Sequence, residues 1–365
     1  MKAVKYILIL LVALIGSACE RNLEFEDPAD ETVNDIVVNA VAVAGVPFKV
    51  YLNRAYLVNK IPHMQNYNSG SFQMKDDGSF DYRSNEYYQK TVISNAMVEI
   101  SVNGQTEDHM VYDEKDFCYV SDYIPVEGDR IEVKVASEGK DVRAETIVPV
   151  KPKIEVVSHE ELHENPYSQL EDLTTNSDMI MRLTCRISDP GGEQYYRLRV
   201  RSECTSYTYN SHFYEESEID KVRYVYYTMQ DVFFSDDELF EDRRLNTNFG
   251  GWRAYFSNIF DNSLMNGKTY TFTVDSPKAG EHNFTSYNPF IGELSKDSEV
   301  IPSRVMVELQ AISPELYRYL RTMQLYRISA NDGYAEPVQI YSNIEGGWGI
   351  LGALSYDRHF VEYGE

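Results

Sequence analysis

Residues Met179 to Ile187 read MIMRLTCRI, an alternation that puts Met179, Met181, Leu183, Cys185 and Ile187 on one side and Arg182, Thr184 and Arg186 on the other. A side-chain period of two belongs to a strand with one buried face, whereas a helix repeats every 3.6 residues. The same period continues in Tyr195–Arg201, where Tyr196, Leu198 and Val200 share a side, and in Lys221–Met229, Lys268–Val274 and Arg304–Ala311. Upstream it marks Ile36–Val43, Phe48–Asn53, Met97–Val102, Phe117–Tyr123, Ile131–Ala136 and Val142–Val148, punctuated by Gly45, Gly104, Gly128 and Gly139. Short strands at this spacing predict an immunoglobulin-like β-sandwich over residues 35–150. Pro149-Val150-Lys151-Pro152 reads as a stiff connector. It leads to a larger β-sandwich-like domain over 151–365, so the fold class expected is mainly β.

Two short inserted helices are expected in the second domain. Ser235-Asp236-Asp237-Glu238 has the spacing of a capping box. Ser313-Pro314-Glu315 supplies an N-cap, a first-turn proline and an early acid, followed by Leu316, Tyr319, Leu320 and Met323 at helical spacing.

Asp189-Pro190-Gly191-Gly192 lies between two of the strands and predicts a hairpin. In the register that keeps its apolar residues together, Arg182 faces Arg201, Arg186 faces Arg197, and Arg199 faces Thr184. Five arginines on one face repel each other unless carboxylates cover them or an anion binds. Glu215, Glu216, Glu218 and Asp220 are candidates for covering them; an anionic ligand or an acidic patch on a partner is the functional alternative. The same register separates Cys185 from Cys204 by roughly 20 Å along the strand. A disulfide needs Cα atoms within about 7 Å, so buried free thiols are expected.

The N-terminus carries a different signal. Lys2 and Lys5 precede the apolar run Tyr6–Ile15, then Gly16-Ser17-Ala18 and Cys19. This has the form of a lipoprotein signal peptide over 1–18, with Cys19 as the lipidated residue. The run is shorter than the ~20 apolar residues a membrane span needs. Residues 19–34 read as an acidic tether that reaches at most ~50 Å, enough to hold a folded body clear of lipid head groups. The chain has 58 acidic and 34 basic residues, a net charge of −24, which excludes nucleic acid as a natural partner. Between Arg54 and Thr91 a long polar stretch holds Tyr56, Tyr67, Tyr82, Tyr87 and Tyr88. It reads as an extra surface hairpin or as a loop that binds a partner.

Catalytic signals are sparse. His159-Glu160-Glu161-Leu162-His163 fits the H-E-x-x-H pattern in which two histidines on a helix hold zinc and the glutamate activates water. Its context, after strand-like Ile154–Val157 and just before Pro166, favours an acidic surface loop, and zinc peptidase activity through His159 and His163 is the remote alternative. No P-loop, G-x-S-x-G elbow or cysteine–histidine pairing is present, and Asp76-Asp77-Gly78 with Asp81 is too sparse for an EF-hand. The expectation is a protein that is not an enzyme and uses no cofactor. The 29 tyrosines, dense around Tyr207–Tyr227, could stack on glycans, although only two tryptophans accompany them.

Near the C-terminus, Tyr341-Ser342-Asn343-Ile344-Glu345-Gly346-Gly347-Trp348-Gly349-Ile350-Leu351-Gly352-Ala353 resembles the signature of a Bacteroidota lipoprotein family, domain of unknown function 4249. Ile93–Val98, Asp189-Pro190-Gly191 with Tyr195–Leu198, and Phe234–Asp236 with Leu239-Phe240 are similar to other segments of that family. The resemblance implies a lipid-anchored outer-membrane protein facing the cell exterior, with a TonB-dependent outer-membrane transporter as its partner in nutrient capture. It implies no catalytic residues. A glycan-binding or adhesion protein of the cell surface is the alternative. The terminal motif itself reads as a strand followed by a turn, with Trp348 packed where Gly346, Gly347, Gly349 and Gly352 let backbones approach closely, and the turn Gly346-Gly347-Trp348-Gly349 is a candidate partner-docking element.

Overall fold

The computed structural model describes residues 35–55, 91–163, 179–210, 220–227, 233–241, 257–278, 282–288, 293–329 and 338–364. The signal peptide, Cys19, the tether and most of the Tyr-rich stretch between Arg54 and Thr91 lie outside them. The described chain is mainly β. Its strands are β1 (Ile36–Val43), β2 (Lys49–Arg54), β3 (Met97–Val102), β4 (Gln105–His109), β5 (Val111–Asp113), β6 (Cys118–Val120), β7 (Arg130–Ser137) and β8 (Lys140–Ile147). There follow β9 (Ile154–Leu162), β10 (Ile180–Ser188), β11 (Tyr195–Asn210), β12 (Asp220–Tyr227), β13 (Ile259–Asp261), β14 (Thr269–Pro277), β15 (His282–Asn288), β16 (Glu293–Ile312) and β17 (Trp348–Glu362).

These strands form three sheets. The largest has ten strands, ordered β12-β11-β16-β17-β1-β2-β6-β5, with β13 also paired to β11 and β15 to β16. A four-stranded sheet runs β4-β3-β7-β8 and a three-stranded one β14-β10-β9. Two main cores result, each fed by the large sheet and by one small sheet. In the first, Val38, Ala40, Leu52 and Tyr119 meet Val98, Ile100, Val133, Val135 and Val142. In the second, Leu198, Val200, Val305, Val307 and Leu309 meet Leu183, Cys185, Ile187, Phe272 and Val274. Each valine, leucine, isoleucine or phenylalanine among them, fully buried, contributes about 1.5–3 kcal/mol through removal of its apolar surface from water. Strand β17 serves both: Leu351 and Ala353 enter the first core and Val361 the second.

The hairpin expected at Asp189–Gly192 does not form. Strand β10 pairs with β9 and β14, while β11 pairs with β16, β12 and β13, so the connection crosses from one sheet to another. The reason is that alternation fixes which face a strand buries but not which strand lies beside it; both strands bury their apolar faces in the second core from opposite sheets. Gly191 and Gly192 take φ of 84° and 73°, a left-handed pair that glycine adopts without strain. The buried Asp189 carboxylate holds the crossover, accepting from Tyr196 Oη at 2.9 Å, Asn262 Nδ2 at 2.9 Å and the Gly267 N–H at 2.6 Å.

Of the two expected helices, one is an α-helix, α1 (Pro314–Ser329). Ser313 Oγ caps it by accepting from the Leu316 N–H at 3.3 Å and also accepts from the Ala353 N–H at 3.2 Å. Buried Leu316 packs with Ile259, Ile312 and Ile350 in a third cluster. The other is a single 3-10 turn, Glu238–Phe240, and its cap is Asp237, whose carboxylate accepts from the Leu239 N–H. Ser235 is drawn off instead, its hydroxyl donating to the Thr273 carbonyl at 2.6 Å. Its oxygen accepts from the Asp237 N–H at 3.2 Å, one residue short of the Glu238 N–H that a capping box engages, so the expected box does not close, and Phe240 ends the turn inside the second core.

A candidate docking surface beside the glycine-rich turn

The terminal motif is a turn followed by a strand, the reverse of the order expected. Residues Tyr341–Ile344 run without strand structure, Glu345 makes an isolated bridge to Arg143, and β17 starts at Trp348. From there Trp348–Leu354 pairs in parallel with Val37–Val43, and Leu354–Glu362 pairs antiparallel with Arg304–Ile312. The glycines are needed for this arrangement. A Cβ on Gly346 would lie 2.8 Å from the Asp141 carbonyl oxygen, on Gly347 2.5 Å from that of Ile36, and on Gly349 2.0 Å from that of Val38. Gly349 also has φ of 106°, which side-chain-bearing residues rarely adopt.

Trp348 is not packed away as expected but is 47% exposed. Its indole Nε1 donates to Asp35 Oδ2 at 3.1 Å, and Lys140 Nζ donates to Asp35 Oδ1 at 2.9 Å. Those two donors, the lysine first, hold the Asp35 carboxyl below the ordinary carboxylate range. The Ala55 N–H donates to the Asp35 carbonyl at 2.9 Å, and Asn53 bridges Val92. Arg54 pairs with Glu138 in the β7–β8 turn. The point where the described chain begins, both flanks of the 54–91 stretch and the glycine-rich turn therefore meet at one end of the first core.

An open groove of about 480 Å³ lies at that end. Met97, Val135, Ala136, Val142 and Gly346 give it an apolar lining, and Glu99, Lys134, Asp141, Arg143 and Glu345 line it with charge. Met97 is 67% exposed. Arg143 and Glu345 clamp the turn to β8 by two backbone bonds, 3.1 and 2.8 Å, and by Nε to Oε2 at 2.6 Å.

The five arginines divide between two sheets. On β10, Arg182 makes a two-pronged pair with buried Asp275, both bonds 2.8 Å, and Arg186 lies 3.5 Å from Glu155. On β11, Arg197, Arg199 and Arg201 stand opposite Gln310, Glu308 and Met306 of β16, which in turn face Tyr356, Arg358 and Phe360 of β17. Glu308, 1% exposed, accepts from Arg358 Nε at 2.7 Å and from Arg199 Nη1 at 3.5 Å. Arg197 and Arg201 are engaged as well. Arg304 pairs with Glu203 at 2.8 and 2.9 Å and covers the Phe360 ring. Arg182, Arg186 and Arg199 thus work in cross-strand pairing, and the five arginines, divided between two sheets, form no single face. Glu215, Glu216 and Glu218 lie outside the described residues, and the side chain of Asp220 is not described.

The H-E-x-x-H segment is strand, with β9 running through His159 to Leu162 against β10. Residues four apart on a strand lie about 13 Å from each other, too far to share one ion, and the helical zinc site does not form. Among the described residues no cluster of His, Cys, Asp or Glu could hold a metal. Cys118, Cys185 and Cys204 are free and buried as expected, though by sheet separation rather than hairpin offset. Burial pushes the Cys185 thiol up to about 12 and, with Glu203, Cys204 to about 11, far from the thiolate a nucleophile needs. Of the tyrosines with described side chains, Tyr326 is the most open, at 44%, and Tyr119 and Tyr196 are buried.

Reasoning from sequence missed Asp35, Met97 and Arg143 at the docking surface and Glu308, Arg304 and Arg358 in the arginine ladder. Their partners lie 50 to 313 residues away for Arg358 and Trp348 respectively, and no local pattern announces such pairs. A family comparison bears on the same motif. The model of the family described as Domain of unknown function (DUF4249) matches residues 22–359. Searches of curated proteins and of solved structures found no match. Because the match takes in both cores and the glycine-rich turn, the chain belongs to the DUF4249 family.

Proposed function

We propose that this protein is a non-enzymatic surface lipoprotein of the outer membrane, anchored through Cys19, that serves as an accessory to a TonB-dependent transporter in nutrient capture. On this reading residues 35–150 are an immunoglobulin-like module and 151–365 a second, sandwich-like one. The observation that carries the proposal is convergence: the turn at the heart of the family signature lies against Asp35, where the tether joins the body, with Trp348 and Met97 open beside it. A partner held in the same membrane would meet that end first. The described thiols are buried and the H-E-x-x-H segment is strand, so the two motifs that would have suggested a nucleophile or a helical zinc site take other roles.

The test is to tag the C-terminus, extract outer membranes in mild detergent, purify the full lipoprotein and identify stoichiometric companions. A TonB-dependent transporter is the expected result. Recovery of the protein as an unassociated periplasmic species would overturn the reading. Recovery of the lipoprotein alone from the outer membrane would favour the glycan-binding or adhesion alternative.

A further inference from the structure

The groove beside the turn has the make-up of a receptor for one kind of segment, and this inference rests on the function proposed above. Its floor is apolar where the paired Met97 and Ala136 lie on the outer face of the four-stranded sheet beside Gly346, and Met97 is only one-third covered, whereas Val135 and Val142 back the groove from within the first core. Its volume, about 480 Å³, exceeds the space one large side chain needs, and shallow apolar pockets of this kind are where interface anchors seat. Its charge is one-sided in effect. Lys134 is already held by Glu132 at 3.1 Å and Arg143 by Glu345 at 2.6 Å, while Asp141 and Glu99, the latter 3.9 Å from His109 and opposite Lys134, add two further carboxylates to the lining. The surrounding protein carries −24, so its field reinforces the local one.

We infer that this groove binds a protein segment presenting an apolar anchor residue between lysines or arginines, the anchor seated on Met97 and Ala136 against Gly346 and the basic flanks facing Glu99 and Asp141. A flat arrangement of the same charges would attract any polycation; the apolar floor is what demands an anchor. The exposed indole of Trp348, on the same turn as Gly346, gives the site its own reporter.

The test uses the full-length lipoprotein in detergent with Trp252→Phe, which leaves Trp348 as the sole tryptophan. Two synthetic probes are titrated, acetyl-KKLFKK-amide and acetyl-KKSSKK-amide, and Trp348 emission is followed. The expected result is saturable binding of the leucine-phenylalanine peptide, about tenfold tighter than the serine peptide, with the difference abolished by Met97→Lys or Ala136→Glu. Both residues are exposed, so these variants should fold, and circular dichroism checks that they do. Equal binding of the two peptides, or binding unchanged by Met97→Lys, would mean diffuse charge attraction and would overturn the inference. So would emission that shifts on phosphatidylcholine vesicles but not with either peptide, which would make this end a lipid-facing surface. The two readings fail separately. A transporter that co-purifies undiminished with Met97→Lys leaves the accessory role standing and removes the groove; selective peptide binding without any co-purifying transporter does the opposite.

Discussion

The two halves of β17 are held by different physics. From Trp348 to Leu354 it runs parallel to β1, with small residues that let backbones come close: Gly349 over the Val38 carbonyl and Gly352 under Leu316 of α1. From Leu354 to Glu362 it runs antiparallel to β16 through larger side chains, and Arg358, Glu308 and Arg199 form a charged row across three strands. One half is specified by what is missing from the side chain, the other by charges that must be matched. Sterics of the first kind admit one residue type, whereas a charged row can be rebuilt in several ways.

The sharpest way to break the contrast is Gly349→Ala. With Val38 O only 2.0 Å from the new Cβ and φ of 106°, the parallel pairing must open or shift. A loss of about 4 kcal/mol, or failure to fold, is expected. Equilibrium unfolding in urea measures it, and a loss under about 1 kcal/mol would show that β17 slides freely over β1. On the other half, Glu308→Ala strands two guanidiniums beside a site that is 1% exposed. Removing one partner of a buried ionic cluster costs about 3 kcal/mol. Substituting Arg358 to methionine in the same background should recover part of that loss; if the double variant is no better than the single, the row is not coupled.

The contrast also explains how much the sequence discloses. Strands whose two faces differ in polarity, such as β1, β7 and β10, are legible because alternation is local, and so is the cap of α1 at Ser313. Strand β4, with QTEDH and an exposed pattern throughout, has no alternation to read. Pairing is the larger gap. The hairpin expectation joined two strands adjacent in sequence, whereas the parallel partner of β1 is more than 300 residues away. At the candidate surface the glycines and Trp348 were legible as a motif, but Asp35 and Met97 gained meaning only when the fold placed them together. The arginines were legible as a charge problem; Glu308 and Asp275, which resolve it, sit in strands with no sequence link to them.

The smallest expected effect concerns the joint between tether and body. Lys140 and Trp348 both donate to the Asp35 carboxylate and lower its pKa from the ordinary value of 3.8. A carboxyl whose folded pKa is depressed adds stability that is fully present above the unfolded value and is lost as pH falls through the folded one. Asp35→Asn keeps the shape but removes the charge. Its melting temperature should therefore lie slightly below that of the wild type by a constant amount from neutral pH down to about pH 5, and the gap should close as pH drops below about 4. The group is partly open to solvent, so screening keeps the effect modest, and added salt should shrink it further. Scanning calorimetry across that range decides the matter. A gap that persists undiminished at pH 3 would mean that Asp35 acts through its shape and hydrogen bonds alone, and that the glycine-rich turn needs no charge to stay against the start of β1.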